Sequence, residues 1–491
     1  MLAAMVLLSM TAAPESAPKL FALVVGNNRS ANAATADLRY ADDDALALHH
    51  LLIEAGARSV LLVMPDDETR ALNGVSTLTP TEESLALAWK QLRGELAAAK
   101  EAGQRTEFLF FFSGHGDISH GEGFLTLEGG KLTRTGLQAM LAASPAQRNH
   151  VIIDACKAYF AVMGKGPGGT RTPWNTPFAD RATSTDNTGL LLSTSSDGDS
   201  HEWERYQAGV FSFEVRSALR GSADIDGDGV VTYRELGGFL TRANAGITNA
   251  RLRPDFLVSP PGGMRGLDEP VLRWPAASAS LVVDGAPEHL YVESGSGHRV
   301  LELNRGSARA FGLHLPAERP LFVRSADEKS ERRLDTSERT QLSTIAVNRP
   351  DLARKGALAM ALTALFSQPF DESAVESFSV AYAVERTEPE TPSARSVLRT
   401  VSPVVLSVAA ATGLVSVGVA VERSQVNETT SNLERVQRNQ GIAAANVTMG
   451  ISAAVAATAV GLLIFSYTGE PSAKTVEVGV SPTGVSVVSR W

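Results

Sequence analysis

Five short apolar runs, each set between stretches of helical periodicity, constrain this chain more than any other feature. Phe21–Val25, Val60–Met64, Phe108–Phe112, Val151–Ile153 and Leu190–Leu192 are continuous rather than alternating, the pattern of strands buried on both faces. Between them Asp42–Ala55 and Thr81–Ala102 read as helices, the second with Leu85, Leu92 and Leu96 on one side. Strand–helix alternation at this spacing predicts an α/β fold in which a parallel sheet is sandwiched by helices. This unit spans residues 17–275, about half of a 491-residue chain.

Composition narrows the function classes. Apolar residues make up 44% and charged residues 20% of the chain, a globular balance that rules out a disordered or collagen-like protein. A net charge of −9 argues against nucleic acid as a partner, because phosphate binding needs a clustered basic surface. The single cysteine, Cys156, excludes an intramolecular disulfide and any Cys-rich zinc site.

Beyond residue 275 the pattern changes to short strands separated by Gly, Pro and charged turns: Leu281–Asp284, His289–Glu293, Arg299–Asn304, Arg309–Leu315 and Leu321–Arg324. They predict a small antiparallel β domain over 276–348. Residues 349–399 read as a helix, Asp351–Phe366, and a polar linker. Two charge-free runs follow, 400–421 and 441–469. At 1.5 Å per residue the shorter reaches about 33 Å, enough to cross a hydrocarbon core of about 30 Å. They are expected to be two transmembrane helices, the alternative being a buried helical hairpin. The apolar run Leu2–Met10, followed by Thr11-Ala12-Ala13-Pro14, reads as an export signal over 1–16. Together these features predict a lipid-bilayer anchor in a bacterial inner membrane, with the large domain on the periplasmic side. Residues 470–491 read as a β-hairpin tail.

Two strand ends carry the chemistry. The third strand runs into Ser113-Gly114-His115-Gly116 and the fourth into Asp154-Ala155-Cys156. Ligands of an open parallel sheet bind beyond the carboxyl ends of its strands, so both segments leave the core on the functional edge. An imidazole beside a thiol favours the thiolate and then protonates a leaving amine. Singly, Cys156 also fits a buried structural cysteine and His115 a turn histidine. The pairing of the sole cysteine with a Gly-flanked histidine favours a catalytic site.

Here the chain resembles the caspase-like cysteine peptidases, most closely the bacterial metacaspase type. The likeness rests on Phe21–Gly26, Leu38–Ala45, Ser113–Gly116 and Asp154–Cys156, and covers about residues 17–260. It implies that His115 and Cys156 are the catalytic dyad, and that the Gly116 and Cys156 backbone N–H groups form the oxyanion hole. It also implies an acidic pocket, matched by Asp44 and Asp154, for an Arg or Lys side chain before the scissile bond. Asp44 has a second reading, as an acid at a helix N-terminus within Asp42-Asp43-Asp44. The chain departs from the family after the nucleophile, with Lys157-Ala158-Tyr159 where His-Ser-Gly is usual. The segment 160–187, which contains Lys165, Arg171 and Arg181, matches a region often self-processed in the family and reads equally as a surface loop. No cofactor is expected in catalysis.

One further motif stands apart. Asp224-Ile225-Asp226-Gly227-Asp228-Gly229 followed by Glu235 fits an EF-hand calcium loop. Its ligands would be Asp224, Asp226, Asp228, the Val230 carbonyl, Thr232 and Glu235, with Val231 turned inward. Such loops usually come in pairs and this one is single, so a plain Asp-Gly turn is the alternative. The sequence therefore predicts a membrane-anchored, calcium-responsive cysteine endopeptidase acting on protein or peptide chains after Arg or Lys. The alternatives are a weak or inactive caspase-like sensor, and a Cys/His peptidase with another pocket.

Overall fold

The computed structural model describes residues 17–30, 36–65, 77–120, 122–155, 187–193, 202–203, 208–247, 254–348, 364–387, 475–481 and 484–490. The first half of the chain runs β1 (Lys19–Asn27), α1 (Ala41–Glu54), β2 (Arg58–Leu62), α2 (Glu82–Glu101) and β3 (Thr106–Gly114). A three-stranded excursion, β4 (Gly116–Ser119), β5 (Glu122–Leu127) and β6 (Gly130–Thr133), leads to α3 (Arg134–Ala142) and β7 (Arg148–Ala155). Then come β8 (Thr188–Ser193), the short pair β9 (Glu202–Trp203) and β10 (Ala208–Gly209), and α4 (Val210–Ser217). The unit ends with β11 (Val230–Thr232), α5 (Tyr233–Asn244), β12 (Phe256–Ser259) and β13 (Pro270–Arg273).

The main sheet has the order β12-β8-β7-β3-β1-β2. Five strands are parallel, and they are the five apolar runs of the sequence. The sixth corrects the expectation of an all-parallel sheet, because β12 pairs antiparallel with β8. Its apolar run, Phe256-Leu257-Val258, is three residues long and gives almost no signal in the sequence. Residues alternate between the two faces, as strand geometry requires. Ala22, Val24, Leu109, Phe111, Ile152 and Leu191 pack against α1, α4 and α5. Phe21, Leu23, Val25, Phe108, Phe110, Phe112, Val151 and Ile153 pack against α2 and α3, with Leu85, Leu92 and Leu96 of α2 in that layer. Thr81 starts α2 by accepting the Ser84 N–H at 3.1 Å, an N-cap that satisfies one orphan donor.

Past residue 275 two small sheets pack together. One holds β14 (Leu281–Val283), β17 (Phe311–Leu313) and β20 (Thr340–Gln341), the other β15 (His289–Ser294), β16 (Arg299–Asn304), β18 (Leu321–Ser325) and β19 (Glu331–Leu334). The β14–β20 pair is parallel, a departure from the purely antiparallel domain expected. Helix α6 (Glu372–Thr387) follows. The helix expected at Asp351–Phe366 is described only over 364–366, as a turn. No helix among the described residues is long and apolar enough to cross a membrane. Residues 1–16, 400–421 and 441–469, where the export signal and the two spans are expected, lie outside the described residues. The C-terminal unit, 388–491, contains an antiparallel hairpin of β21 (Thr475–Ser481) and β22 (Gly484–Arg490).

Candidate active site

The register of β3 against β7 fixes the geometry of the functional edge. Ser113 lies opposite Asp154 and Gly114 opposite Ala155. In the sequence His115 and Cys156 are the residues that follow the ends of these two strands. Cys156, Lys157 and the segment to 186 lie outside the described residues. Gly114 has φ +155°, and a Cβ there would sit 2.8 Å from the Asn27 carbonyl oxygen. Glycine thus lets β3 run hard against β1 up to the last residue before the histidine.

His115 is half-buried, and its carbonyl accepts the Thr126 N–H at 2.9 Å, tying it to β5. Its Nε2 is buried without a hydrogen-bond partner among the described residues. Burial holds its pKa below the usual imidazole value, against the opposing pull of Asp37 and of a backbone hydrogen bond with Ala36. The neutral ring has the protonation state a general base needs. Gly116 opens β4, opposite Leu125.

The structure brings Asp44 and Asp154 to one place, the N-terminus of α4. Asp44 Oδ2 accepts the Gly209 N–H at 2.9 Å and the Ser113 hydroxyl at 3.4 Å. Asp154 Oδ2 accepts the Ser212 N–H at 3.0 Å and the Ser212 hydroxyl at 2.7 Å. Gly209 is the N-cap residue of α4, and a Cβ there would lie 2.7 Å from Asp154 Oδ2 and 3.0 Å from Asp44 Oδ2. The orphan amides and positive dipole end of α4 make two adjacent carboxylates tolerable. The two differ in access: Asp44 is 1% exposed whereas Asp154 is half-buried. Burial pushes the Asp44 pKa well above the usual carboxylate range, Arg216 pulls it down, and Asp154 adds repulsion.

Two charged residues of this cluster escaped the sequence reading. Arg216 Nη2 lies 3.0 Å from Asp44 Oδ1, and Glu214 is fully buried beside α5, where it accepts from Asn244 Nδ2 at 3.0 Å. The available signal was two charges inside the apolar helical stretch Phe211–Leu219, at positions an amphipathic helix would give to its core.

The acidic loop lies between α4 and α5. Carboxylate oxygens of Asp224, Asp226 and Glu235 lie within 4.8 Å of one another. Asp224 accepts three backbone N–H groups, from Gly227, Asp228 and Gly229. Asp226 accepts the Asp228 N–H and Asp228 the Val230 N–H. Thr232 and Glu235 form a capping box at the start of α5, and Glu235 Oε1 also accepts the Ile225 N–H at 3.2 Å. Val231 is wholly buried and pairs with Leu272 of β13, so β13 occupies the ladder position where a second loop would pair. Burial, followed by mutual repulsion among the acids, raises Asp224 to about 6 and Glu235 to about 7. An all-oxygen donor set that is costly to ionise suits a hard divalent cation such as calcium.

Comparison with known proteins agrees with the geometry over the same stretch. No curated protein matches the chain. Residues 19–252 match the family model described as the caspase domain, a peptidase family. That span holds all five parallel strands, His115, the Asp44–Asp154 cluster and the acidic loop. Over residues 19–252, just under half of the chain, this protein is thus similar to the caspase-domain family of peptidases.

Proposed function

We propose that the chain is a membrane-anchored cysteine endopeptidase that cuts after Arg or Lys and answers to calcium. The observation that carries this reading is the convergence of Asp44 and Asp154 at the sheet edge that leads into His115, with Asp154 opposite Ser113, two residues before the histidine. In the proposed reaction His115 takes the Cys156 thiol proton and the thiolate attacks the scissile carbonyl carbon. The oxyanion is met by the Gly116 and Cys156 N–H groups. The imidazolium then gives its proton to the leaving amine, and water, deprotonated by His115, cleaves the thioester. Asp224, Asp226, Asp228, Val230, Thr232 and Glu235 would hold the calcium ion, which orders the connection between α4 and α5. The charge-free runs 400–421 and 441–469 would anchor the chain in the inner membrane, with the peptidase domain periplasmic.

Cys156→Ala and His115→Ala are each expected to abolish cleavage of Arg and Lys peptides by the full chain, with the circular dichroism spectrum unchanged. Cleavage surviving in purified Cys156→Ala protein would sink the mechanism. A second reading, a caspase-like sensor of little activity, is favoured by one feature: a pocket acid is already paired inside the protein. An electrophilic Arg-peptide probe separates the two, since only the peptidase labels at Cys156.

A further inference from the structure

The proposed base is held by the loop that follows β1. The His115 ring is hydrogen-bonded to the backbone of Ala36 in a contact that favours the protonated ring, so the Ala36 carbonyl accepts from a ring N–H. Nε2 has no partner among the described residues, which leaves Nδ1 as the donor. A neutral imidazole with its proton on Nδ1 presents the Nε2 lone pair, the tautomer that can take a thiol proton.

The segment that offers this carbonyl, residues 36–38, is stapled to residues 28–30. Asp37 Oδ1 accepts the Ser30 N–H at 3.0 Å, and the Leu38 N–H donates to the Asn28 carbonyl at 2.8 Å. Asn28 is tied in turn to α1, its Oδ1 accepting the Ala41 N–H at 2.8 Å and its Nδ2 donating to Asp42 Oδ1 at 2.7 Å. An asparagine or serine at position 37 would accept the Ser30 N–H equally well. What only a carboxylate adds is charge, and Asp37 is the charged group that acts on the His115 ring among the described residues. From β5, His115 is met by the uncharged Thr126. Cys156, which follows β7 in the sequence, lies outside the described residues.

We propose that Asp37 is a positioning residue of the reaction: it holds the Ala36 carbonyl on the imidazole and supplies the counter-charge to the imidazolium formed when His115 takes the Cys156 proton. The assignment rests on the Cys–His reading above and adds a third group to it. The ring becomes a cation as the thiol becomes a thiolate, and it stays one until the proton passes to the leaving amine. A fixed carboxylate nearby makes that cation less costly, and it also keeps the ring protonated to a slightly higher pH. Asp37 is exposed, so solvent screens its pull to a fraction of a pH unit.

The test is the pH profile of kcat/KM for an arginine peptide between about pH 4.5 and pH 8, using full-length protein. Cleavage rises as the ring loses its proton, so the acid limb reports that step. Asp37→Asn keeps an acceptor for Ser30 and removes the charge. Its limb is expected about half a pH unit below that of wild type, with a plateau about three- to tenfold lower. Asp37→Glu is expected to return the limb toward the wild-type position. Asp37→Ala, which also strips Ser30 of its acceptor, is expected to show the shifted limb with a still lower plateau. Limbs that coincide in wild type and Asp37→Asn, whatever the plateau, would make Asp37 a loop staple and overturn the proposal. A wild type that cleaves nothing would instead remove the peptidase reading on which it rests. The rate at which diethylpyrocarbonate modifies His115, followed by mass spectrometry over the same pH range, then decides the pairing without turnover. Equal midpoints in the two proteins overturn it, and a lower midpoint in Asp37→Asn upholds Asp37 as the partner of His115.

Discussion

Glu214 and His150 lie wholly inside the same domain and respond to pH with opposite signs. Glu214 has Asn244 Nδ2 on one carboxyl oxygen and no partner on the other among the described residues. Burial pushes its pKa well above the usual value, Asn244 opposes the shift and Asp154 adds to it. A carboxyl raised on folding contributes fully at low pH, and its contribution is lost as pH climbs through the folded value. Glu214→Gln keeps the shape and an acceptor for Asn244, so it is expected to raise the melting temperature at pH 8 and to leave it nearly unchanged at pH 4. A shift of equal size at both would assign the effect to packing. His150 donates or accepts through Nδ1 with the Tyr233 hydroxyl at 2.8 Å and is held neutral, its pKa lowered from 6.5 to about 4 chiefly by burial. A depressed imidazole gives stability that is complete above 6.5 and lost as pH falls toward 4, up to about 3 kcal/mol for a fully buried ring. Denaturant midpoints measured across this window should fall more steeply for wild type than for His150→Asn.

Among the elements, the acidic loop separates ion binding from helix capping. Asp224 holds three backbone amides and Glu235 caps α5, so removing either weakens the loop without any ion. Losing such a cap costs about 0.5–2 kcal/mol. Asp226 is exposed, and its carboxylate accepts the Asp228 N–H at 3.2 Å but caps no helix. Asp226→Ala should therefore melt with wild type in chelator yet lose the rise that millimolar calcium gives wild type, whereas Glu235→Ala should melt lower in both. A wild-type melting curve indifferent to calcium would reduce the motif to a turn. The same elements show what the sequence reveals and what it hides. Five strands announce themselves because residues such as Phe108–Phe112 are apolar on both faces, and the dyad candidates sit at their ends. The strands β4–β6 and β12 are short and mixed, and α6 follows no strong periodic stripe, so pattern alone misses them. Asp154 and Asp44 were legible only through a motif. Arg216 was invisible, since nothing local shows that its charge answers an acid 172 positions away.

On the scale of the molecule, residues 276–348 and 364–387 are built into the caspase domain rather than strung behind it. Below α4 the π-helical turn Ala218–Ser222 meets the β domain directly. Arg220 Nη1 bridges Glu54 at 2.9 Å and the His314 carbonyl at 2.7 Å, and the Trp274 ring stacks on His314 with centroids 3.9 Å apart. The Glu302 N–H donates to Ser217 Oγ, and Arg309 reaches the Asp226 carbonyl in the acidic loop. Leu365, Phe366, Phe370, Ala374 and Val375 share one apolar core with Phe213, Leu236, Phe239 and Leu240. Helix α6 presses so closely on α5 that a Cβ on Gly237 would fall 2.2 Å from the Phe378 ring. Cutting the chain after residue 275 would strip this face, and a single large aromatic lost from a core already costs about 3–5 kcal/mol. A fragment of residues 17–275 is therefore expected to melt well below one of 17–387 and to bind a hydrophobic dye, with Phe366→Ala in the longer fragment giving part of the same loss. The shorter fragment matching the longer in melting temperature would show instead that the caspase domain closes its core alone and that the β domain is an attached module.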